Sequence, residues 1–392
     1  MLYDLAPYLT KFWGPFRLLQ SQLILLSAGT VLAALLVLFL LPKLWHLLPH
    51  DHGKAILGKD GMKSAGKPTG AGFYVTLLVL PVLLLVMPFR RSELGVIVCL
   101  YLSMLFGYLD DGSEQPWGEL KKGLLDIIVS VGAAACIFLS YARGTGESSV
   151  HVWLPFVTNM VSVPWWLYIP GAGFMLWFVM NATNCSDGVD GLAGTLTTIT
   201  LMTLAGLLLV VIGVPRFASY FRIFPPMQEG AEFVATHVRV ASTWAIGLMT
   251  VAGGVAGYLW WNAEPSKALM GDAGSRFLGL LLGAGVLVTG NPLLLFAFAP
   301  VVLVNGGGGL VKILLLRFFR KCGLDVRPPS MLEPEERARR NPLVKAVQSI
   351  RFPLHDHCKK ELKWSNAQVL MRFVLVQAFL MPIILILLVK IR

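Results

Sequence analysis

An all-α, polytopic integral membrane protein is the fold class this sequence predicts, and three observations predict it. Of the 392 residues, 56% are hydrophobic and only 14% charged, and the mean hydropathy is +0.69. The apolar residues gather in blocks long enough to cross the roughly 30 Å hydrocarbon layer of a bilayer. The basic residues, which give a formal net charge of +11, collect between those blocks on one side.

About ten spans are expected along a single domain, 1–392. The start, MLYDLAPYLTKFWG, has no basic leader, short apolar core or small-residue cleavage site, so the block at 21–41 is read as a retained span. Further spans are expected at 70–88, 94–109, 124–141, 164–181, 194–214 and 241–261. The block at 277–290 is short, and Thr289 to Pro292 predict a tight hairpin into the next block, 292–315. The last span is 369–389. With the N-terminus outside, the connections 42–69, 110–123, 182–193, 262–276 and 316–368 lie inside and carry 21 Lys and Arg, twelve of them in 316–368, against 10 in the outside segments. Cytoplasmic loops are the basic ones, so both termini are placed outside. The same excess can also attract an acidic soluble substrate. Nucleic acid is a poor partner, since no recognition module or separate basic domain is present. The five cysteines show no paired spacing and are read as bystanders.

The inside connections hold the polar motifs. In GKDGMKSAGKPTGAG, 58–72, glycines surround Lys67, but Pro68 stands where a phosphate loop needs a hydroxyl residue. A flexible interfacial turn and an anion site both fit. In FGYLDDGSEQPWGELKK, 106–122, Asp110 and Asp111 close the third span. Neighbours on a helix point about 100° apart, so one can face a site while the other orients a lysine or a ligand. In NATNCSDGVDGLAG, 181–194, Asn181, Asn184, Asp187 and Asp190 recur every three residues. Such a stripe can converge on a hydrated cation or its diphosphate, and hard oxygen donors suit Mg2+; a plain polar loop is the bland alternative. In NAEPSKALMGDAGSRFLG, 262–279, Asp272 lies at the expected entrance of a span, where the amides of Gly271, Ala273 and Gly274 can cradle an anion. In RFPLHDHCKKELKW, 351–364, His355 and His357 lack a third zinc ligand, which favours hydrogen bonding to phosphate.

Taken together, GYLDD (107–111), NATNCSDGVDGLAG (181–194), NAEPSKALMGDAGS (262–275) and PLHDH (353–357) resemble the motifs of the polyprenyl-phosphate N-acetylhexosamine-1-phosphate transferases. They stand in the same order, and the likeness runs from about residue 20 to 390. PLHDH is similar to the His-rich PLHHH of the bacterial branch that transfers phospho-N-acetylmuramoyl-pentapeptide.

The resemblance implies a Mg2+-dependent transfer of that group from its uridine diphosphate carrier to undecaprenyl phosphate. UMP is released and lipid I of peptidoglycan synthesis is formed, at the cytoplasmic face of a bacterial inner membrane, by a homodimer. It also implies residue roles. Asp110 activates the lipid phosphate, and Asp111, Asp187 and Asp190 complete the catalytic set. Asp272 and Asp187 hold Mg2+. Lys67, Lys121, Asn184, Asn262, His355 and His357 bind substrate. The chain departs from the family pattern at Lys67 and Asp356 and at Leu269, where an aromatic residue is usual, and the lysine usual just after the aspartate pair is absent there: Ser113 and Glu114 occupy that region, and Lys121 and Lys122 come later. A transferase using another uridine-diphosphate N-acetylhexosamine is the alternative. A transporter would show inverted repeats and polar spans at the bilayer midplane, and no convincing repeat is visible.

Overall fold

The computed structural model describes residues 1–51, 65–89, 91–113, 115, 117–155, 157, 159–214, 231–327, 331 and 340–390. Residues 58–64 of the glycine-rich connection, Glu114 and parts of the 215–240 and 316–368 connections lie outside the described residues.

Nine of the ten expected spans each fall on one helix, and the tenth, 292–315, is divided between two. After a short α1 (Leu2–Leu9), α2 runs over Gln22–Leu44, α3 over Ala71–Val86, α4 over Arg91–Asp111, α5 over Glu119–Thr145 and α6 over Trp165–Ser186. They are followed by α7 (Leu192–Ile212) and α8 (Ala231–Asn262), and α9 (Gly271–Val288) leads to the five-residue α10 (Leu294–Phe298). Then come α11 (Pro300–Lys321), the short surface helices α12 (Pro342–Ser349) and α13 (Leu354–Lys360), and α14 (Asn366–Lys390). Among the described residues, eight helices are long and apolar enough to cross a membrane, and α3 is an apolar helix just short of that length.

Two boundaries differ from expectation. The span read as 277–290 begins at Gly271, so the GDAGS motif lies in the first turns of α9 and not before it. The span read as 292–315 is broken at Ala299 (φ −129°, ψ 39°), because Pro300 drives the residue before it out of helical geometry. A β-hairpin, Ser149–Val152 paired antiparallel with Val161–Pro164, was not expected. It closes the end of the bundle opposite the motifs, where the Trp153 amide donates to the Gly290 carbonyl.

The order of packing follows from composition. In α2 the buried residues Leu25, Gly29, Ala33, Val37 and Leu41 recur every four positions, which makes one inward stripe on a helix otherwise turned outward. It lies along α8. In α8 and α9, 83% of the apolar window is buried, against 22% in α2 and α14, so α8 and α9 form the interior. Without a hydrophobic driving force between helices in lipid, close approach depends on small residues. A Cβ on Gly72 of α3 would collide with the backbone of Gly274 in α9, and one on Gly107 of α4 would meet the backbone of Asp272. Those contacts bring the two acidic motifs together.

Candidate active site

The ends of α4, α6 and α8 and the starts of α5, α7 and α9 gather at one end of the bundle. Asp110 and Asp111 diverge there as adjacent helical residues must. The Asp111 carboxylate accepts the main-chain amides of Asp272 at 3.1 Å and Ala273 at 3.2 Å, satisfying donors that the first turn of a helix leaves open. The anion cradle expected in GDAGS therefore holds this chain's own carboxylate. Gly271 makes the junction possible with φ 73°, a left-handed conformation, and with no Cβ to strike Asp111.

Asp110 faces the other way. Its Oδ1 accepts the Trp117 amide at 2.9 Å, and its Oδ2 lies 2.5 Å from the Lys122 ammonium. Lys122 is also 3.8 Å from Oδ2 of Asp272, so one ammonium lies between two carboxylates. On Asp272, Oδ1 accepts from Asn184 Nδ2 at 2.9 Å and Oδ2 from Arg276 Nη2 at 3.2 Å. Arg276 in turn reaches the buried Asp126 at 2.5 Å. Four carboxylates (Asp110, Asp111, Asp126, Asp272) thus stand against two cations.

Asp187 and Asp190 sit in the turn between α6 and α7. The Asp187 amide donates to the Asn184 carbonyl as α6 ends, and Oδ2 of Asp190 accepts the Ser266 amide at 3.2 Å and stands 3.8 Å from Lys67. Lys67 also donates to Ser266 Oγ at 3.0 Å. It is carried there by backbone hydrogen bonds that join Pro68 and Ala71 to Leu269. Asn262, expected to bind substrate, is buried and spends its amide on the scaffold. It accepts the Gly191 amide at 2.8 Å and donates to the Ala268 carbonyl at 2.9 Å.

The histidines separate. His355 is buried, and both its main-chain amide (2.9 Å) and its Nδ1 (3.2 Å) meet Oδ1 of Asn305. An amide oxygen only accepts, so Nδ1 carries the ring proton and Nε2 is left as an acceptor. That nitrogen faces Gly188, where a Cβ would collide with it. His357 lies toward the Arg351 amide, 3.5 Å away. Lys121 does not reach the carboxylates: its ammonium is 3.4 Å from the centroid of the Trp117 ring. The structure puts its neighbour Lys122 in the cleft instead, because consecutive residues of α5 point about 100° apart.

Burial, aided by Lys359 and Lys360 and opposed by Asp356, holds the His355 pKa down at about 4. The unfolded value is near 6.5, so between these values the unfolded chain binds the extra proton. The stability due to a neutral His355 is therefore complete above about pH 6.5 and lost as the pH falls toward 4. Thermal unfolding in detergent is expected to show a steeper fall in Tm from pH 7 to pH 5 for the wild type than for His355→Gln. Parallel slopes would refute it.

Among the described residues no three His, Cys, Asp or Glu side chains form a ready metal cage. Asp187, expected with Asp272 as a metal ligand, ends α6 three residues after Asn184, whose side chain donates to Asp272. The donor set nevertheless suits a hard divalent cation. Asp110 and Asp272 already converge on one ammonium, and one double positive charge would balance the four carboxylates and two cations. Lys122, Asp126, Arg276 and Asn305 were not singled out from the sequence. The usable signal was four-residue spacing inside apolar helices, Lys122 to Asp126 and Asp272 to Arg276, which puts opposite charges on one helix face.

The model of the family described as Glycosyl transferase family 4 matches residues 94–290. The phospho-N-acetylmuramoyl-pentapeptide-transferase of Treponema pallidum (strain Nichols) is 38% identical over 380 residues, 97% of this chain and 93% of the other. The protein of the same name from Borreliella burgdorferi (strain ZS7) is 27% identical over 374 residues, 91% of this chain and 93% of the other. That of Gemmatimonas aurantiaca is 29% identical over 287 residues, 69% and 67%.

Proposed function

The chain belongs to glycosyl transferase family 4, among its phospho-N-acetylmuramoyl-pentapeptide-transferases, and from that membership we propose that it transfers phospho-N-acetylmuramoyl-pentapeptide from uridine diphosphate to undecaprenyl phosphate. The single observation that carries this reading at the level of chemistry is the Lys122 ammonium held between Asp110 and Asp272. A transfer between two phosphate esters needs cationic charge against crowded anions and a carboxylate able to take a proton.

An oxygen of the lipid phosphate attacks the phosphorus that bears the sugar, the anhydride bond to the uridylyl phosphate breaks, and UMP leaves with the bond's electron pair. Asp110 takes the proton of the attacking phosphate. Lys122, released from its carboxylates by the incoming anions, neutralises charge on them. Asn184 and Arg276 hold Asp272 in place. Lys67, beside Asp190 and Ser266, meets the soluble nucleotide from the opposite rim, and His355 offers Nε2 beside Gly188. Asp272 and Asp187 would hold Mg2+, which when bound supplies charge neutralisation and polarisation of the departing phosphate.

The test is direct. The purified protein, given labelled uridine-diphosphate N-acetylmuramoyl-pentapeptide, undecaprenyl phosphate and Mg2+, is expected to yield a labelled lipid and UMP. The N-acetylglucosamine nucleotide is expected to yield little. The reverse preference would move the chain to the other substrate branch, and no product from either would refute the transferase reading.

We also propose that the motif end of the bundle faces the cytoplasm, that both termini lie outside and that the protein works as a homodimer. The charge bias of 21 to 10 supports this sidedness. The exposed thiol of Cys322, at the end of α11, is expected to react with a membrane-impermeant maleimide in inside-out vesicles and not in intact cells. Labelling in intact cells would reverse the orientation.

A further inference from the structure

Among the described residues, Arg276 is the guanidinium paired with the carboxylates of the cleft, and the way it is held is unusual for a simple ion pair. It rises from the second turn of α9, 6% exposed, and divides its two terminal nitrogens between two carboxylates. Nη1 reaches Asp126 of α5, 2% exposed, at 2.5 Å; Nη2 reaches Asp272, 27% exposed, at 3.2 Å. The guanidinium thus ties α9 to α5 through a carboxylate buried in the bundle. The third guanidinium nitrogen, Nε, is buried without a hydrogen-bond partner. Optimal burial of an arginine would have satisfied it.

Stability alone accounts poorly for this arrangement. A buried ion pair repays its desolvation only with good geometry, and apolar replacement is often neutral or stabilising. Charged side chains within membrane-spanning segments are costly and mark functional sites by default. The fork has a direction, however. Its inner arm is fixed in the interior by Asp126, and its outer arm ends on the carboxylate that faces the cleft. Asn184 occupies Oδ1 of Asp272 and Arg276 occupies Oδ2, which leaves that carboxylate open toward Lys122 and Asp110.

We propose that Arg276, anchored by Asp126, is a positioning residue for Asp272: it fixes that carboxylate from the buried side and, as an immovable positive charge, limits how tightly a divalent cation is held there. Lys122 can swing away when a cation or an anionic substrate arrives. Arg276 cannot leave without exposing Asp126. Asp272 therefore keeps one orientation through the reaction, at the cost of weaker cation binding in the resting enzyme. The inference rests on the transferase reading for its effect on turnover, but not for its effect on cation binding.

The experiment uses the full chain in detergent, with Mn2+ as the probe in place of Mg2+. Arg276→Met alone would strand the buried Asp126, so the informative variants are the double replacement R276M/D126L and the charge-conserving R276K. Size-exclusion and thermal unfolding check that both are folded. In R276M/D126L, Mn2+ half-saturation, read by electron paramagnetic resonance without either substrate, is expected to fall about threefold, because the like charge that is lost stood against Asp272 while the opposite charge lost with it lay behind the guanidinium, farther from the cation. Its kcat is expected to fall about tenfold, with the KM values of nucleotide and lipid within about twofold, because the carboxylate has lost its orientation. R276K retains the charge but not the fork, so a similar loss of kcat is expected with the Mn2+ curve unmoved. Wild-type kcat in both variants, or an unmoved Mn2+ curve in the double variant, would overturn the proposal and reduce the clamp to helix packing. If the wild type forms no product, the transferase reading fails separately, and the Mn2+ titrations still decide whether Arg276 governs the site.

Discussion

Asp272→Asn is expected to lower kcat on the order of 10³-fold while leaving the protein folded. The asparagine has the same shape, and its Oδ1 can still accept from Asn184, so the contact between α9 and α6 persists. Arg276 keeps its inner partner, Asp126, and the cap on α9 is unaffected because it is made by Asp111 with main-chain amides. What disappears is one negative charge opposite Lys122 at the point where the proposed cation is bound. Turnover across a Mg2+ series, with thermal unfolding as the check on folding, measures the effect. Turnover within about fivefold of wild type at limiting Mg2+, with the same metal optimum, would remove Asp272 from the mechanism.

For Asp110→Asn, kcat is expected to fall roughly 10²-fold with the KM of the nucleotide little changed. The amide retains an oxygen for the Trp117 main-chain donor, so the turn after α4 holds. It cannot take a proton, and it no longer offers Lys122 a charged partner. Both losses matter when the bond to phosphorus is forming and less when the nucleotide binds. Rates measured across pH decide the point: a profile superimposable on that of the wild type would assign proton transfer to another group.

Much of the bundle could be read from the sequence because the bilayer leaves few alternatives. A chain must satisfy its backbone within each span, so long apolar blocks become helices, and polar residues at block ends mark one face. Asp110, Asp111, Asn184 and Asp272 were legible for that reason, since each stands where an apolar block meets a connection. The residues that were missed lie one layer deeper. Arg276 and Asp126 are placed inside α9 and α5, where only their mutual geometry explains them, and Asn305 acts through His355, 50 residues away. The exchange of Lys122 for Lys121 turned on the phase of α5, which depends on where its first turn begins after Trp117. The purpose of Asn262 was hidden because a motif residue that builds a turn has the same letter as one that touches substrate.

The bond from Asp111 to the start of α9 has a bearing on biogenesis. Its partners are 161 and 162 residues apart in the chain, and α5 to α8 are synthesised between them. Until α9 enters the bilayer and slots between α4 and α6, the Asp111 carboxylate has not met these two amides, and Lys122 has met only one of its two carboxylates. A ribosome-bound intermediate that already contains the aspartate pair and the whole of NATNCSDGVDGLAG is therefore catalytically incomplete. Competence cannot precede the insertion of this late helix, and His355, which follows it in the chain, reaches Gly188 later still, so chains that end before α9 cannot consume the lipid carrier.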